Sequence, residues 1–347
     1  MQDKSVLLIG NFLSASVGIK GHSEELARRL ARAGWQVMTA SEKQNRLARL
    51  ADMVATVWRE RSRYRVAHLE VFSGAAFFWA EVVCKNLRLL GKPYILTLHG
   101  GNLPAFARRW PGRVRRLLTS ARIIVTPSRY LLAELQEYGG RFQLIPNPLD
   151  LSAYPYRPRR EPQVHLVWLR AFHKMYNPRL ALKVAAQLLP EYPELQLIMV
   201  GPDKGDGSWQ EMPQLAGELG VTDRVIFQER VAKSEVPDWL NRGDIFLNTT
   251  FVDNAPVTVT EAMACGLCIV STDVGGIPYL LEHEKDALLV PPDDPDAMAA
   301  AVRRILTEPG LARRLSENAR RKAEQFDWSV ILPQWEALLT AVAESGP

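Results

Sequence analysis

The sequence predicts an α/β protein made of two doubly wound parallel-sheet domains in succession, and three observations predict it. The length is 347 residues, which at about 150 residues per domain corresponds to roughly two domains. Short apolar runs rich in β-branched residues recur along the whole chain without polar alternation, as strands buried on both faces of a parallel sheet do. Stretches of helical periodicity separate them, and strands alternating with helices build βαβ units.

Taken in order, the expected strands of the first half are Ser5–Ile9, Gln36–Ala40, Val66–Val71, Tyr94–Leu98, Ile123–Thr126 and Phe142–Ile145. Those of the second half are Val164–Leu169, Gln196–Val200, Val225–Phe227, Asp244–Asn248, Cys268–Ser271 and Ala287–Val290. Ser23 is placed to cap a helix that carries Glu24 and Glu25 in its first turn and ends near Gly34. Glu24/Arg28 and Glu25/Arg29 would pair across one turn of it. Asn177-Pro178 reads as a cap followed by proline at the first helical position.

The stretch Asp150–Gln163 holds three prolines and three arginines and no apolar period, so it reads as a linker. This divides the chain into an N-terminal domain over 1–155 and a second over 160–325. The amphipathic stretch over 326–347, with Trp328, Ile331, Leu332, Trp335, Leu338 and Leu339, has an apolar face to bury. It would pack back on the N-terminal domain or stay with the second; composition does not choose. In such sheets ligands bind outside the carboxyl ends of the strands. Two such domains facing across a cleft would place the site between them.

Composition excludes several classes. Three cysteines, Cys84, Cys265 and Cys268, are too few for a disulfide scaffold, and a reducing, cytoplasmic setting is the simpler expectation. The N-terminus has no signal-peptide pattern. The longest apolar stretch, Val71–Cys84, spans 14 residues and contains Glu81, too short to cross a bilayer as a helix. A soluble or at most peripheral protein is expected. Cys265-x-x-Cys268 has no second pair, and the histidines do not cluster at metal-ligand spacing, so core thiols and no metal site are expected.

The chemistry concentrates after the strands. The turn after Ile9 contains no G-x-G-x-x-G, and there is no P-loop. Gly18 and Gly21 precede the first helix and would let backbone approach an anion there, or would form a plain βα loop. In the second half, Arg170 and Lys174 follow a strand and precede the Asn177 helix, an arrangement suited to an anion; His173 lies between them. Next comes FVDNAPVTVTEAMACGLCIVSTDVGGIP, with Asp253 in a loop and Glu261 eight residues on in a short helix ended by Gly266. Amides of Val257 and Thr258 would hydrogen-bond phosphate, and a carboxylate in that helix would accept from ribose hydroxyls. A carboxylate pair also serves glycoside hydrolysis, but the anion-binding environment fits a phosphorylated donor better than a neutral glycan.

These residues carry a resemblance. The stretch around Glu261-Ala262-Met263-Ala264-Cys265-Gly266 resembles the E-x7-E signature of retaining glycosyltransferase family 4, which has the GT-B fold of two Rossmann-like domains. The likeness runs on through LTLHGG at His99, TPS at Ser128, IPNPLD at Ile145–Asp150, Arg170 and Lys174, MVGPD at Gly201, GDIFLN at Asp244, DVGGIP and ALLVPPDDP. It implies an N-terminal acceptor domain and a C-terminal donor domain. It implies that Glu261 binds the ribose of a nucleotide-diphosphate sugar and that Asp253 touches the donor sugar. Arg170 and Lys174 would neutralise the diphosphate, with Gly201, Val257 and Thr258 in the nucleotide site. His99 would lie near the reacting centre, and Gly18 would let its loop approach phosphate and acceptor. No metal or other cofactor is implied, since positive side chains and amides do that work. By analogy with oxyanion-hole donors, removing Arg170 or Lys174 should cost on the order of 3–4 kcal/mol of transition-state stabilisation.

The sequence departs from the family pattern at four places. Asp253 stands for Glu, Pro256 for a common Gly, Val17 for the first of two glycines, and Tyr279 for a common Glu. A degenerate binding or scaffold protein, a sugar-nucleotide epimerase and a phosphorylase are the competing readings on the same fold. For a phosphorylase no pyridoxal-phosphate lysine or dedicated phosphate site is discernible.

Charge is uneven. Residues 1–155 carry 23 Lys/Arg against 11 Asp/Glu, and the remainder 20 against 27. Arg108, Arg109, Arg113, Arg115, Arg116 and Arg122 cluster near Trp110, and Arg59, Arg61, Arg63 and Arg65 beside Trp58. Solvated faces are one reading. No nucleic-acid module accompanies them, so nucleic acid is not an expected partner. An anionic membrane surface or a lipid-linked or glycan acceptor is the sharper expectation.

Overall fold

The computed structural model describes residues 4–13 and 21–345, in two compact units. One comprises the chain up to Asn147 together with the segment from Ser329 onward; the other spans Pro148–Trp328.

The first unit is a six-stranded parallel sheet. Its strands are β1 (Ser5–Ile9), β2 (Gln36–Ala40), β3 (Val66–Val71), β4 (Tyr94–Leu98), β5 (Ile123–Thr126) and β6 (Phe142–Leu144), in the order β2-β1-β3-β4-β5-β6. Its main helices are α1 (His22–Arg32), α2 (Arg46–Arg59), α3 (Ala75–Leu89), α4 (Leu103–Arg109), α5 (Pro111–Leu118) and α6 (Arg129–Leu135). The strand order reverses between β1 and β3. One face of the sheet buries Leu7, Ile9, Leu69, Val71, Leu96 and Leu98 in a core shared with Phe77, Val83 and Leu117.

The second unit is a second six-stranded parallel sheet, of β7 (His165–Leu169), β8 (Gln196–Val200), β9 (Val225–Gln228), β10 (Ile245–Asn248), β11 (Cys268–Thr272) and β12 (Leu288–Val290). Its order is β12-β11-β10-β7-β8-β9, so the reversal lies between β7 and β10. Its helices are α7 (Pro178–Leu188), α8 (Ser208–Glu218), α9 (Val236–Asn241), α10 (Val257–Cys265), α11 (Ile277–Leu280), α12 (Pro295–Thr307) and α13 (Leu311–Ala323). Successive strand residues enter two different cores, Leu166, Trp168, Leu197 and Met199 on one face and Val167, Leu169, Ile198 and Val200 on the other. That double burial is why these strands read as continuous apolar runs.

The last helix, α14 (Trp328–Glu344), belongs almost wholly to the first unit. Its Trp335 ring meets His68 edge-on at 5.0 Å, and Glu336 accepts from Trp35 Nε1 at 3.1 Å and pairs with Lys4 at 3.4 Å. Among the described residues no helix is long and apolar enough to cross a membrane.

Three local expectations are corrected. The cap of α1 is Gly21, which leaves Ser23 inside the first turn with its hydroxyl buried. Asn177 does precede Pro178 at the start of α7, but in a left-handed conformation (φ 46°), and its amide donates to Asp293 at 2.9 Å instead of capping the helix. The stretch over 150–163 is packed, not free. Arg159 is fully buried there and donates to the Cys265 and Gly243 carbonyls and, at 3.0 Å, to Asn241 Oδ1. Its prolines and arginines mimic a linker because the segment has no period of its own; the partners of Arg159 are backbone carbonyls and one side-chain amide of the second unit.

Candidate functional site

In an open parallel sheet, the reversal of strand order opens a crevice outside the carboxyl ends of the two flanking strands. In the second unit those strands are β7 and β10, and the chain leaves them through Arg170 and through Thr249–Pro256.

Arg170 is fixed from several sides. Its amide donates to the Val200 carbonyl at 3.0 Å. A Cβ on Gly201 would lie 1.7 Å from the Arg170 carbonyl oxygen, so only glycine permits this approach of the two loops. The guanidinium lies over the Tyr176 ring at 4.4 Å. Tyr176 is itself held, because its carbonyl accepts from Thr249 Oγ1 at 2.7 Å and that oxygen accepts from Trp168 Nε1 at 2.8 Å. From this base Nη2 donates to Asp253 Oδ2 and Nη1 to Thr258 Oγ1 at 3.3 Å, while Nε is buried with no hydrogen-bond partner among the described residues.

Asp253 is buried beside that guanidinium. Burial raises its carboxyl above the usual value despite Arg170 and the Asn254 amide, which both favour the charged form. Its loop rests on two glycines. Cβ atoms at Gly275 and Gly276 would lie 2.3 Å from the Asp253 carbonyl oxygen and 1.7 Å from that of Asn254, and the Gly276 amide donates to Asp253 at 2.9 Å.

Helix α10 follows. Pro256 precedes it without a side-chain cap, and its carbonyl accepts from Val259 and Thr260. The first-turn amides of Val257 and Thr258 therefore have no intrahelical acceptor, at the end of a helix that favours negative charge. Glu261 lies one turn beyond Thr258 on the same face. It is 1% exposed, and its Oε1 accepts from Tyr154 Oη at 2.7 Å and from Lys233 Nζ. Burial holds the Tyr154 phenol well above its ordinary value, so that hydroxyl is a donor.

Lys174 is placed differently. It begins a short 3₁₀ turn and its amide donates to Asp206 at 2.8 Å. It lines a cavity of about 310 Å³ with Asn177, Arg179, Lys183, Glu211 and Phe251, which none of Arg170, Asp253, Thr258 or Glu261 lines. No hydrogen bond or ion pair joins it to those four.

In the first unit the reversal places Gly10 and Phe72 at the carboxyl ends of β1 and β3. His99 follows β4, its amide on the Val71 carbonyl at 2.9 Å and its ring stacked on Phe72 at 5.1 Å. Its Nε2 lies 3.5 Å from Glu70 Oε1. The carboxylate favours an imidazolium, but burial wins and pushes the pKa down to about 4, so the ring is neutral near pH 7. A Cβ on Gly10 would lie 2.6 Å from Glu70 Oε2. Gly18 and Val17 lie outside the described residues. Among the described residues no three His, Cys, Asp or Glu side chains are grouped to hold a metal.

Sequence reasoning missed Tyr154, Lys233, Glu70 and the role of Gly275 and Gly276. Tyr154 lay in the apparent linker. Glu70 was legible as the one carboxylate in the mostly apolar run of β3. Lys233 carried only one weak signal, its place after the carboxyl end of β9.

Comparison with known proteins agrees with this fold. Residues 18–153 match the Glycosyltransferase Family 4 model and residues 157–322 the Glycosyl transferases group 1 model. Similar relatives are D-inositol 3-phosphate glycosyltransferases. That of Streptomyces bingchenggensis is 31% identical over 44% of this chain and 34% of its own length. That of Streptomyces avermitilis is 25% identical over 78% and 62%, and that of Geodermatophilus obscurus 26% over 86% and 72%. The chain thus spans about one third and 62% of the first two. Similar solved structures are sucrose-phosphate synthase from Thermosynechococcus elongatus, with TM-score 0.79 at 21% identity over 99% of this chain and 100% of that one, and Anabaena HepE in complex with UDP, with TM-score 0.75 at 18% identity over 97% and 100%. Both have the same fold. Matched by one model over residues 18–153 and by the other over residues 157–322, the chain belongs to the group 1/family 4 glycosyltransferases of the GT-B type.

Proposed function

We propose that the protein is a retaining hexosyltransferase, moving a sugar from a UDP- or GDP-linked donor to a hydroxyl acceptor in cell-surface polysaccharide or glycolipid synthesis. One observation carries this reading. At the strand-order reversal of the second sheet, a guanidinium with a buried, unpartnered Nε–H, an uncapped helix start and a buried carboxylate lie within about one helical turn of each other. Arg170, Thr258 and the first-turn amides offer donors to a diphosphate, and Glu261 offers acceptors to ribose hydroxyls. Gly201 supports the site by letting the Arg170 loop close on β8. HepE, of the same fold, has been solved with UDP-glucose, which supports a nucleotide-sugar donor.

The anomeric carbon–oxygen bond to the diphosphate breaks while the acceptor oxygen bonds to the same face of that carbon. The acceptor proton passes to a donor phosphate oxygen, so no protein base is needed. Stabilising the leaving diphosphate is then the main electrostatic task, which fixed donors perform without a metal. Asp253 is assigned to the donor sugar. The first unit supplies the acceptor site, with His99 at the carboxyl end of its sheet.

The acceptor reading extends to a membrane. Trp58 and Trp110 are each about 40% exposed in segments carrying Arg59, Arg61 and Arg63 and Arg108, Arg109 and Arg113. Basic, Trp-bearing surfaces suit anionic lipid headgroups at about 1 kcal/mol per cation. Equal co-sedimentation with neutral and anionic vesicles would remove this part.

Titration calorimetry with UDP and GDP tests the donor reading, followed by a screen of UDP- and GDP-sugars for slow donor hydrolysis, which needs no acceptor. Binding of one nucleotide with hydrolysis of one of its sugars is expected. Binding of neither nucleotide overturns the reading and leaves a scaffold.

A further inference from the structure

Glu261 is buried and carries two partners, one of which bears charge. Tyr154 reaches it from below, a neutral donor held within the fold. Lys233 reaches it from the loop after β9, and its side chain remains 60% exposed. The two ends of this ion pair differ in freedom. The carboxylate is fixed in a helix; the ammonium rides on a flexible stem with its outer side in solvent. Nζ has three donors, and one is used on Glu261.

The same pattern recurs one turn earlier. Arg170 is paired with buried Asp253 and also touches Thr258, and Thr258 and Glu261 share a helix face. The site therefore holds two cations about one turn apart along α10, each on a buried carboxylate. Lys174, four residues after Arg170, joins neither pair and lines the neighbouring cavity.

We infer that Lys233 is the second diphosphate cation of this site. It is kept on Glu261 while the site is empty and is passed to the donor phosphates when ribose hydroxyls take the carboxylate. The exchange keeps both charges matched throughout. Glu261 gives up an ammonium but gains hydroxyl donors, and the ammonium gains a phosphate. The exposed stem of Lys233 is what permits the move; Tyr154 keeps the carboxylate in place during it.

This inference rests on the nucleotide-donor reading, and its test separates the two. Calorimetry compares UDP with uridine, and GDP with guanosine, on the wild-type chain and on Lys233→Met, Lys233→Arg and Lys174→Met. A lost charge-assisted hydrogen bond should weaken diphosphate binding by about tenfold or more in Lys233→Met. Nucleoside binding should be unchanged or tighter, because the competitor for Glu261 is gone. Lys233→Arg should recover most of the loss, and Lys174→Met tests the competing assignment: a loss of diphosphate binding there as large as that in Lys233→Met overturns the inference. Unchanged or tighter diphosphate binding by Lys233→Met overturns the assignment while the donor reading stands, as does a loss shared equally by nucleoside and diphosphate. Wild-type protein that binds neither UDP nor GDP overturns both. Lys233→Met also strips the cation from buried Glu261, so its melting temperature should fall; an unchanged far-UV circular dichroism spectrum and retained nucleoside binding at the assay temperature exclude misfolding as the cause.

Discussion

The hydroxyl of Tyr154 donates to Oε1 of Glu261 at 2.7 Å, joining a segment without regular structure to helix α10. Neither group is exposed enough for water to replace its partner. Tyr154→Phe removes this donor and leaves the carboxylate on Lys233 alone. The expected loss is on the order of 1–2 kcal/mol of stability. Thermal denaturation reads this, and calorimetry should show weaker binding of nucleoside and nucleoside diphosphate alike. Unchanged nucleoside affinity would mean that Tyr154 does not set the position of Glu261.

The part Arg170 plays in stability and the chemical role proposed for it can be separated. Arg170→Ala strips the counter-ion from buried Asp253, a loss of roughly 3–5 kcal/mol if the carboxylate stayed ionised. Burial already raises the Asp253 carboxyl, and without Arg170 it rises further, so the group takes up a proton instead. A group whose folded pKa lies above its unfolded value stabilises below the unfolded value and loses that contribution as pH rises through the folded one. Arg170→Ala should therefore be closest to wild-type stability near pH 4 and fall behind it toward neutrality. Arg170→Ala combined with Asp253→Asn should regain stability at pH 7 yet remain impaired in turnover by about 3–4 kcal/mol. Recovery of turnover in the double variant would place Arg170 outside the chemistry.

Strands were the most legible part of this molecule, and the reason lies in the double burial of both sheets. A run such as Val66–Val71 or Gln196–Val200 needs no knowledge of its neighbours to be recognised. Arg170, Asp253 and Glu261 were legible because each follows or lies just beyond a strand end, on a loop or helix whose place the strands determine. Tyr154 and Lys233 were not, because their meaning comes entirely from a partner 107 and 28 residues away. Arg159 shows the same limit from the structural side: an arginine in a Pro-rich stretch reads as solvated, and only the carbonyls of Gly243 and Cys265 make it a core residue.

Gly276 faces the Asn254 carbonyl oxygen so closely that any Cβ would stand 1.7 Å from it. Backbone cannot yield as a side-chain tip can, so Gly276→Ala must push the Asp253 loop off its seat. The pairing of Asp253 with Arg170 should loosen with it. The expected result is a drop of roughly 2–3 kcal/mol in stability, in the range of overpacked sites, together with weaker donor-sugar hydrolysis. Gly217→Ala is the control: it lies within α8, and its Cβ would meet only Thr222 Oγ1, at 3.9 Å. Equal melting temperatures for the two variants would show that the loop does not depend on this contact.

His99 should make the first unit acid-sensitive. Its pKa is pushed down to about 4 by burial, against 6.5 in an unfolded chain. Between those values the unfolded chain binds a proton that the folded chain refuses, so stability falls as pH drops from about 6.5 toward 4. The full effect of a shift of this size is on the order of 3 kcal/mol. His99→Gln removes the proton binding from both states and should flatten the curve in this window, while leaving the slope above pH 7 unchanged. Denaturant titrations at pH 4.5, 6 and 7.5 read the difference. Turnover of the wild type, measured between pH 6 and 8, should show no inflection from this imidazole, because it is neutral throughout. Parallel stability curves for wild type and His99→Gln between pH 4.5 and 6.5 would mean that Glu70, 3.5 Å away, offsets burial and leaves the imidazole at its unfolded pKa.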